Sequence, residues 1–172
     1  MSEVRIRQRL VAILAADAAG YSHLMAREEL GTIAALDAGR DVFKTEIESH
    51  QGRVIDMAGD SVLASFGTAI GAVTAALRIQ ERLNALAAHL PDDRQMRFRI
   101  GVHVGDIREK DDGTIYGDGV NIAARLQGLA EPGGLTISGV TQESARHRLH
   151  ATRSSSSINK PMRRGHRRAR TS

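Results

Sequence analysis

Apolar and polar positions along the 172-residue chain switch between two periods, and the switches divide it into elements. Leu10-Val11-Ala12-Ile13-Leu14-Ala15-Ala16 is a continuous apolar run, as in a strand buried on both faces, and it stops at Asp17. The small, turn-prone residues 18–22 follow, then helical patterning through Leu24, Met25 and Leu30. A second helix is predicted over residues 33–49, with Ile33, Leu36, Phe43 and Ile47 on one stripe and Gly39 as its weak point. Gly52 opens a hairpin in which Val54-Ile55 faces residues 62–66 across the turn 56–61. Residues 68–90 are predicted as a helix whose apolar positions are Ile70, Val73, Leu77, Leu83, Leu86 and Leu90, ended by Pro91. Residues 96–106 alternate strictly, Met96, Phe98, Ile100, Val102 and Val104 against Arg97, Arg99, Gly101, His103 and Gly105, which predicts a half-buried strand. A turn at residues 110–113 leads into residues 114–126, which read as a strand end, a glycine turn and the start of a helix reaching about residue 130. A short strand at 135–138 and a short helix at 141–148 complete the pattern.

This order predicts an α+β fold: a ferredoxin-like βαββαβ core with a largely antiparallel sheet and helices packed on one side of it. Such a core sets the first strand beside the second strand of the hairpin. Asp17, at the end of the one, and Asp60, in the turn before the other, then converge at one sheet end. Two carboxylates together with a substrate's phosphates suit a hard divalent cation. Taken singly, each Asp also reads as a turn or cap residue. Asn121 and Arg125 stand four apart on the predicted helix, so both leave one face, just after Gly117-Asp118-Gly119. A carboxamide and a guanidinium so placed suit a phosphate ester, while a surface ion pair is the plainer role for Arg125. Asp118 reads as a helix cap.

Composition narrows the classes. Aromatic residues are 3% of the chain, so the core is built from Ala, Val, Ile and Leu, and the absence of Cys excludes disulfides and thiolate metal sites. No apolar run reaches the ~18 residues of a membrane span, and the N-terminus lacks a signal-peptide block, so a cytoplasmic location is expected. Of 24 basic residues, seven lie in residues 151–172 with no acid, leaving 17 against 20 acidic residues and a net of −3 for residues 1–150. The domain is therefore expected to end near residue 150, with a basic, disordered tail at 151–172. Without interleaved aromatics that tail makes nucleic acid an unlikely partner. Seven histidines show no metal spacing, and there is no Walker loop, dinucleotide fingerprint or nucleophile elbow.

Four stretches taken together resemble the class III nucleotidyl cyclase (adenylate/guanylate cyclase) catalytic domain over about residues 8–148: Ala15-Ala16-Asp17-Ala18-Ala19-Gly20-Tyr21-Ser22, Ala58-Gly59-Asp60-Ser61-Val62-Leu63, Arg99-Ile100-Gly101-Val102-His103-Val104-Gly105 and residues 116–125. The resemblance implies that Asp17 and Asp60 hold two Mg²⁺ or Mn²⁺ ions, helped by the main-chain carbonyl at Ala18, with Gly20, Tyr21 and Ser22 facing phosphates. It implies that Asn121 orients the ribose and Arg125 stabilises the α-phosphate. It also implies a head-to-tail homodimer whose sites are shared between subunits. The family's adenine-selecting Lys corresponds to Asp56 and its partner position to Thr114. The family continues past residue 150 with a hairpin and a triphosphate-contacting Lys. Here a serine- and arginine-rich segment stands instead, and Lys160 lies in no copy of that motif, so the C-terminal strands are expected to be missing. The implied function is a purine nucleotide cyclase making cyclic AMP from ATP. The alternatives are GTP as substrate, or a catalytically weak dimerisation or nucleotide-sensing module.

Overall fold

The computed structural model describes residues 5–156, with side chains as far as His147. In chain order the elements are β1 (Ile6–Ala18), α1 (Tyr21–Arg27), α2 (Glu29–Ser49), β2 (Gly52–Asp56), β3 (Ser61–Phe66), α3 (Ala69–Ala87), a single 3-10 turn (Asp92–Arg94), β4 (Phe98–Lys110), β5 (Ile115–Tyr116), α4 (Asp118–Leu129), β6 (Leu135–Ile137) and α5 (Gly139–Ser156). The sheet runs β2-β3-β1-β4-β5, with β6 added to β4. Among the described residues only the β4–β6 pairing is parallel. Setting β5 and β6 aside leaves the order β2-β3-β1-β4, that of a ferredoxin-like βαββαβ core, as the element pattern predicts.

Helices cover both faces of this sheet, not one. Along β1, Ala12, Leu14, Ala16 and Ala18 point into a large cluster with Phe43 and Ile47 of α2 and Ala72, Ala76 and Ile79 of α3. The intervening Val11, Ile13 and Ala15 point the other way, into a smaller cluster with Ala123 of α4. The period-two alternation of a strand makes one run of apolar residues serve two cores. The alternate positions of β4, which read as a solvent face, lie under α4, and the missing side chains are what admit it. A Cβ at Gly101 would sit 2.4 Å from both the Ala123 carbonyl oxygen and the Gln127 amide nitrogen.

Other differences have local causes. The buried stripe of α3 is Ala69, Ala72, Ala75, Ala76, Ile79, Gln80 and Leu83, whereas Leu77 and Leu86 are exposed. Small side chains bring this helix close to the sheet, so alanines form its inner face. In α2 it is Ile33 that is exposed, and Gly39 lies against the Phe98 ring. Leu10 is also exposed, because β1 and β4 continue past the end of β3, as an arm edged by β5 at Arg108 and Glu109, down to the Ile6–Lys110 pair. Helix α5 runs to Ser156, past the boundary expected near residue 150. The remainder of the basic segment, 157–172, lies outside the described residues.

Candidate active site

Antiparallel pairing of β1 with β3 sets Asp17 opposite Ser61, and the Ala18 amide donates to the Asp60 carbonyl oxygen at 3.3 Å. Both aspartates thus stand at one end of the sheet, where the apolar runs of β1 and β3 give way to turns. The Asp60 turn has Gly59 in the left-handed region (φ 56°), and Arg40 of α2 donates to the Gly59 carbonyl oxygen. On the other side of β1, Arg99 of β4 is paired with Asp17. Its guanidinium grips the carboxylate in a two-point fork, Nε to Oδ1 at 2.9 Å and Nη2 to Oδ2 at 2.7 Å. Hydrogen bonding to Asp17, with the added attraction of Asp17 and Asp60, raises the Arg99 pKa above its ordinary value against the opposing effect of burial.

The fork is the observation that tests whether a divalent cation fits here. The half-buried Asp17 carboxylate binds a full positive charge and Asp60 adds to its attraction, so the two carboxylates form an anionic site. Their oxygens are the hard donors that Mg²⁺ or Mn²⁺ takes. Among the described residues no group of three or more His, Cys, Asp or Glu side chains is placed to hold a metal. The donor set therefore fits an ion completed by substrate oxygens, not a closed protein cage.

Asn121 and Arg125 come from α4, on the face of the sheet that this helix covers. Gly117 (φ 129°) turns the chain from β5 into α4, and Gly119 lies 3.0 Å, by its would-be Cβ, from the Asp106 carbonyl oxygen. Asn121 and Arg125 are exposed, and neither makes a side-chain hydrogen bond or ion pair among the described residues. The surface ion pair that a helix Arg ordinarily makes is thus not formed by Arg125. Among the described residues of one chain, no hydrogen bond or ion pair links this pair to Asp17 or Asp60.

Asp56 is exposed at the end of β2, after a bulge between Val54 and Asp56. Thr114 follows the β4–β5 turn, its amide donating to Asp112 Oδ1 at 2.9 Å. Gly20 (φ 65°) caps α1, where Ser22 is exposed and Tyr21 packs against the large core. Ala18 is buried. An apolar cavity of about 550 Å³ bounded by Leu24, Ala35, Leu86 and Met96 contains none of these residues. A cleft of about 650 Å³ along β4 and the start of α4 is lined by Asp106, Tyr116, Gly117 and Asp118. Sequence reasoning did not single out Arg99 or Arg40. The signal for Arg99 was its place two residues before Gly101 on a strand that pairs antiparallel with the one ending at Asp17.

The adenylate and guanylate cyclase catalytic domain family matches residues 5–167. Among curated relatives, a Rhizobium meliloti protein named "Putative adenylate cyclase 3" is 48% identical over 139 residues, which are 80% of this chain and 24% of that protein. "Adenylate cyclase 1" of the same organism is 31% identical over 61% of this chain and 18% of its own length. The chain thus spans about a quarter or less of these relatives. A solved structure described as an adenylate/guanylate cyclase/hydrolase from Silicibacter pomeroyi superposes with a TM-score of 0.77 at 36% identity, covering 84% of each chain. The same fold appears in the Pseudomonas aeruginosa adenylyl cyclase CyaB, with a TM-score of 0.74 at 20% identity over 83% of each chain. With the family match extending over most of its length, the chain belongs to the adenylate and guanylate cyclase catalytic domain family.

Proposed function

We propose that this domain converts ATP to 3′,5′-cyclic AMP and pyrophosphate as a homodimer, each site drawing on two copies of the chain. The observation that supports this reading is the division of the chemistry. Asp17, Asp60 and Arg99 gather at one sheet end, while Asn121 and Arg125 stand exposed on α4 without a side-chain partner among the described residues. In the reaction the ribose 3′-oxygen gives its proton to solvent water and bonds to the α-phosphorus. The bond from that phosphorus to the bridging oxygen breaks, and pyrophosphate leaves with the electron pair. Asp17 and Asp60 are the residues that would hold Mg²⁺ or Mn²⁺, which when bound supplies Lewis-acid stabilisation of the attacking and leaving oxygens. Arg99 offsets the repulsion between the two carboxylates. Arg125 of the second copy donates to the α-phosphate oxygens where charge builds up, and Asn121 fixes the ribose so that the attack is in line. Backbone amides around Gly20, Tyr21 and Ser22 face the phosphates.

Asp56 and Thr114 meet the base. The Asp56 carboxylate accepts from the adenine amino group, and the Thr114 hydroxyl donates to a ring nitrogen. One observation favours GTP as a second reading: an exposed carboxylate at residue 56 also matches the N1–H and amino donors of guanine. Purified protein incubated with ATP or GTP and Mn²⁺ tests both. Cyclic AMP in excess of an Asp17→Ala control is expected, and a larger yield of cyclic GTP would transfer the assignment to guanine. If neither product exceeds the control while ATP still raises the melting temperature, the domain is a nucleotide-sensing module instead.

A further inference from the structure

The β1–β4 arm does not stand free, and the residue that secures it comes from the far side of the sheet. Arg53 of β2 donates through Nη2 to Glu109 Oε1 at 2.5 Å and through Nη1 to the Gly113 carbonyl oxygen at 3.2 Å. Arg9 donates to the other oxygen of the same carboxylate at 2.7 Å. Strands β3 and β1 lie between β2 and β4, so the two anchoring strands are about 14 Å apart across a flat sheet. The register adds more. Arg53 faces Ser65, Ser65 faces Ile13 and Ile13 faces His103, which is six residues short of Glu109 on β4, a further ~20 Å along the strand. The contact therefore requires the arm to curl back over the sheet on the α4 side. Parity agrees, because Arg53 and Glu109 both share the face of Ile13.

The curl brings two other residues into one structure. Ile55, which precedes Asp56, and Ile115, which follows Thr114, belong to the same apolar cluster as Ile13 and Ile107. Asp56 and Thr114 thus flank one small core, and the Arg53 bond to Gly113 ties the strand of the one to the turn before the other. Glu109 is mostly buried and shared between two arginines, a geometry that neither a Lys nor a Gln reproduces.

We infer that the Arg53–Glu109 clamp, braced by Arg9, sets the spacing between Asp56 and Thr114, and that both residues of the clamp are positioning residues for discrimination between purine bases. This rests on the placement of Asp56 and Thr114 at the base that the proposed function gives. Neither clamp residue touches the reacting atoms.

The test is steady-state kinetics with ATP and with GTP for the wild type, Arg53→Lys, Arg53→Met and Glu109→Gln, beside binding of fluorescent ATP and GTP analogues and thermal melting. The clamp variants are expected to shift the ratio of kcat/KM for the two nucleotides by about tenfold, carried more by KM than by kcat, with Arg53→Lys closer to wild type than Arg53→Met. A uniform loss for both nucleotides that follows the melting temperature, with the ratio within twofold of wild type, would overturn the inference and leave the cyclase reading intact. If the wild type binds both analogues with a preference that the variants shift, yet turns over neither nucleotide, the inference stands and the cyclase reading falls. Should the single variants not fold, Arg53→Gln, which leaves Glu109 paired with Arg9, takes their place. A folded Arg53→Gln with an unaltered base preference would also overturn the inference.

Discussion

Arg99 and Asp17 are paired twice over, as antiparallel neighbours on β4 and β1 and through a two-point fork between their side chains. The guanidinium therefore occupies a cationic position that a metal ion would share. Charges a few ångströms apart near a protein surface interact by a few kcal/mol at an effective dielectric of about 20, and partial exposure of both groups reduces this. Arg99→Ala is predicted to let Mn²⁺ bind about tenfold more tightly in the absence of nucleotide, equivalent to ~1.4 kcal/mol. Titration followed by electron paramagnetic resonance reads this directly. Unchanged or weaker binding would mean that Arg99 serves chiefly to hold Asp17 in the orientation that binds metal.

Two glycines, one beneath α4 and one on its exposed side, should respond in opposite senses. At Gly101 an added methyl meets two backbone atoms of α4 at 2.4 Å, which no side-chain rotation relieves. Gly101→Ala is predicted to cost about 1–3 kcal/mol of stability, the usual range for overpacking, and to lower turnover by displacing Asn121 and Arg125. Gly128, on the same helix, has nothing within 4 Å of its would-be Cβ. There Ala should gain up to ~1 kcal/mol from helix propensity. Urea denaturation of both variants decides the matter, and equal effects would mean that close approach is not the constraint.

The residues that were easiest to read in the sequence carry simple signals. Ile13 and Leu14 are adjacent and both fully buried because β1 has a core on each side, so the strand shows as an unbroken apolar run. Asp17 and Asp60 stand out as polar breaks at strand ends. The inner face of α3 was not legible, because Ala72 and Ala76 carry little hydrophobic signal while Leu77, the larger residue, faces solvent. Nor was the covering of β4 by α4, since Gly101 and Gly105 on alternate positions look like a polar face until a helix is laid on them. Arg99 and Arg53 find their carboxylates 82 and 56 residues away. No local pattern reports such a partner, and each reads as an ordinary solvated charge.

Glu109 makes the stability of the arm depend on acid. The hydrogen bond from Arg9 first, then attraction to Arg53, Arg9 and Arg7, holds its carboxyl below the usual glutamate value. The unfolded chain thus binds the proton more readily than the folded one, and stability from this group rises with pH. Its contribution is complete above the unfolded value of about 4.3 and disappears as pH falls through the lower folded value. Glu109→Gln should accordingly be less stable than wild type at pH 7, by on the order of 1 kcal/mol, and the gap should close toward pH 3. Denaturant unfolding at the two pH values measures it. A gap that stays constant would show that the loss is one of packing and not of charge.

Asn121 and Arg125 supply the sharpest check on the shared site. Both are exposed and lack partners among the described residues, so Asn121→Ala and Arg125→Ala should each change stability by no more than about 0.5 kcal/mol. Turnover should nevertheless fall by about 10²–10³, as expected for a group that acts only on charge in the transition state. Asp17→Ala should be inactive for a different reason, having lost the other half of the site. In a head-to-tail dimer of Asp17→Ala with Arg125→Ala, both lesions fall in one site and the second site is intact. If subunits exchange freely, about half of the dimers are mixed, so the mixture should recover roughly a quarter of wild-type activity. Absence of recovery, with exchange verified by a mass label, would place all four residues in a site made by one chain and remove the basis for the dimer.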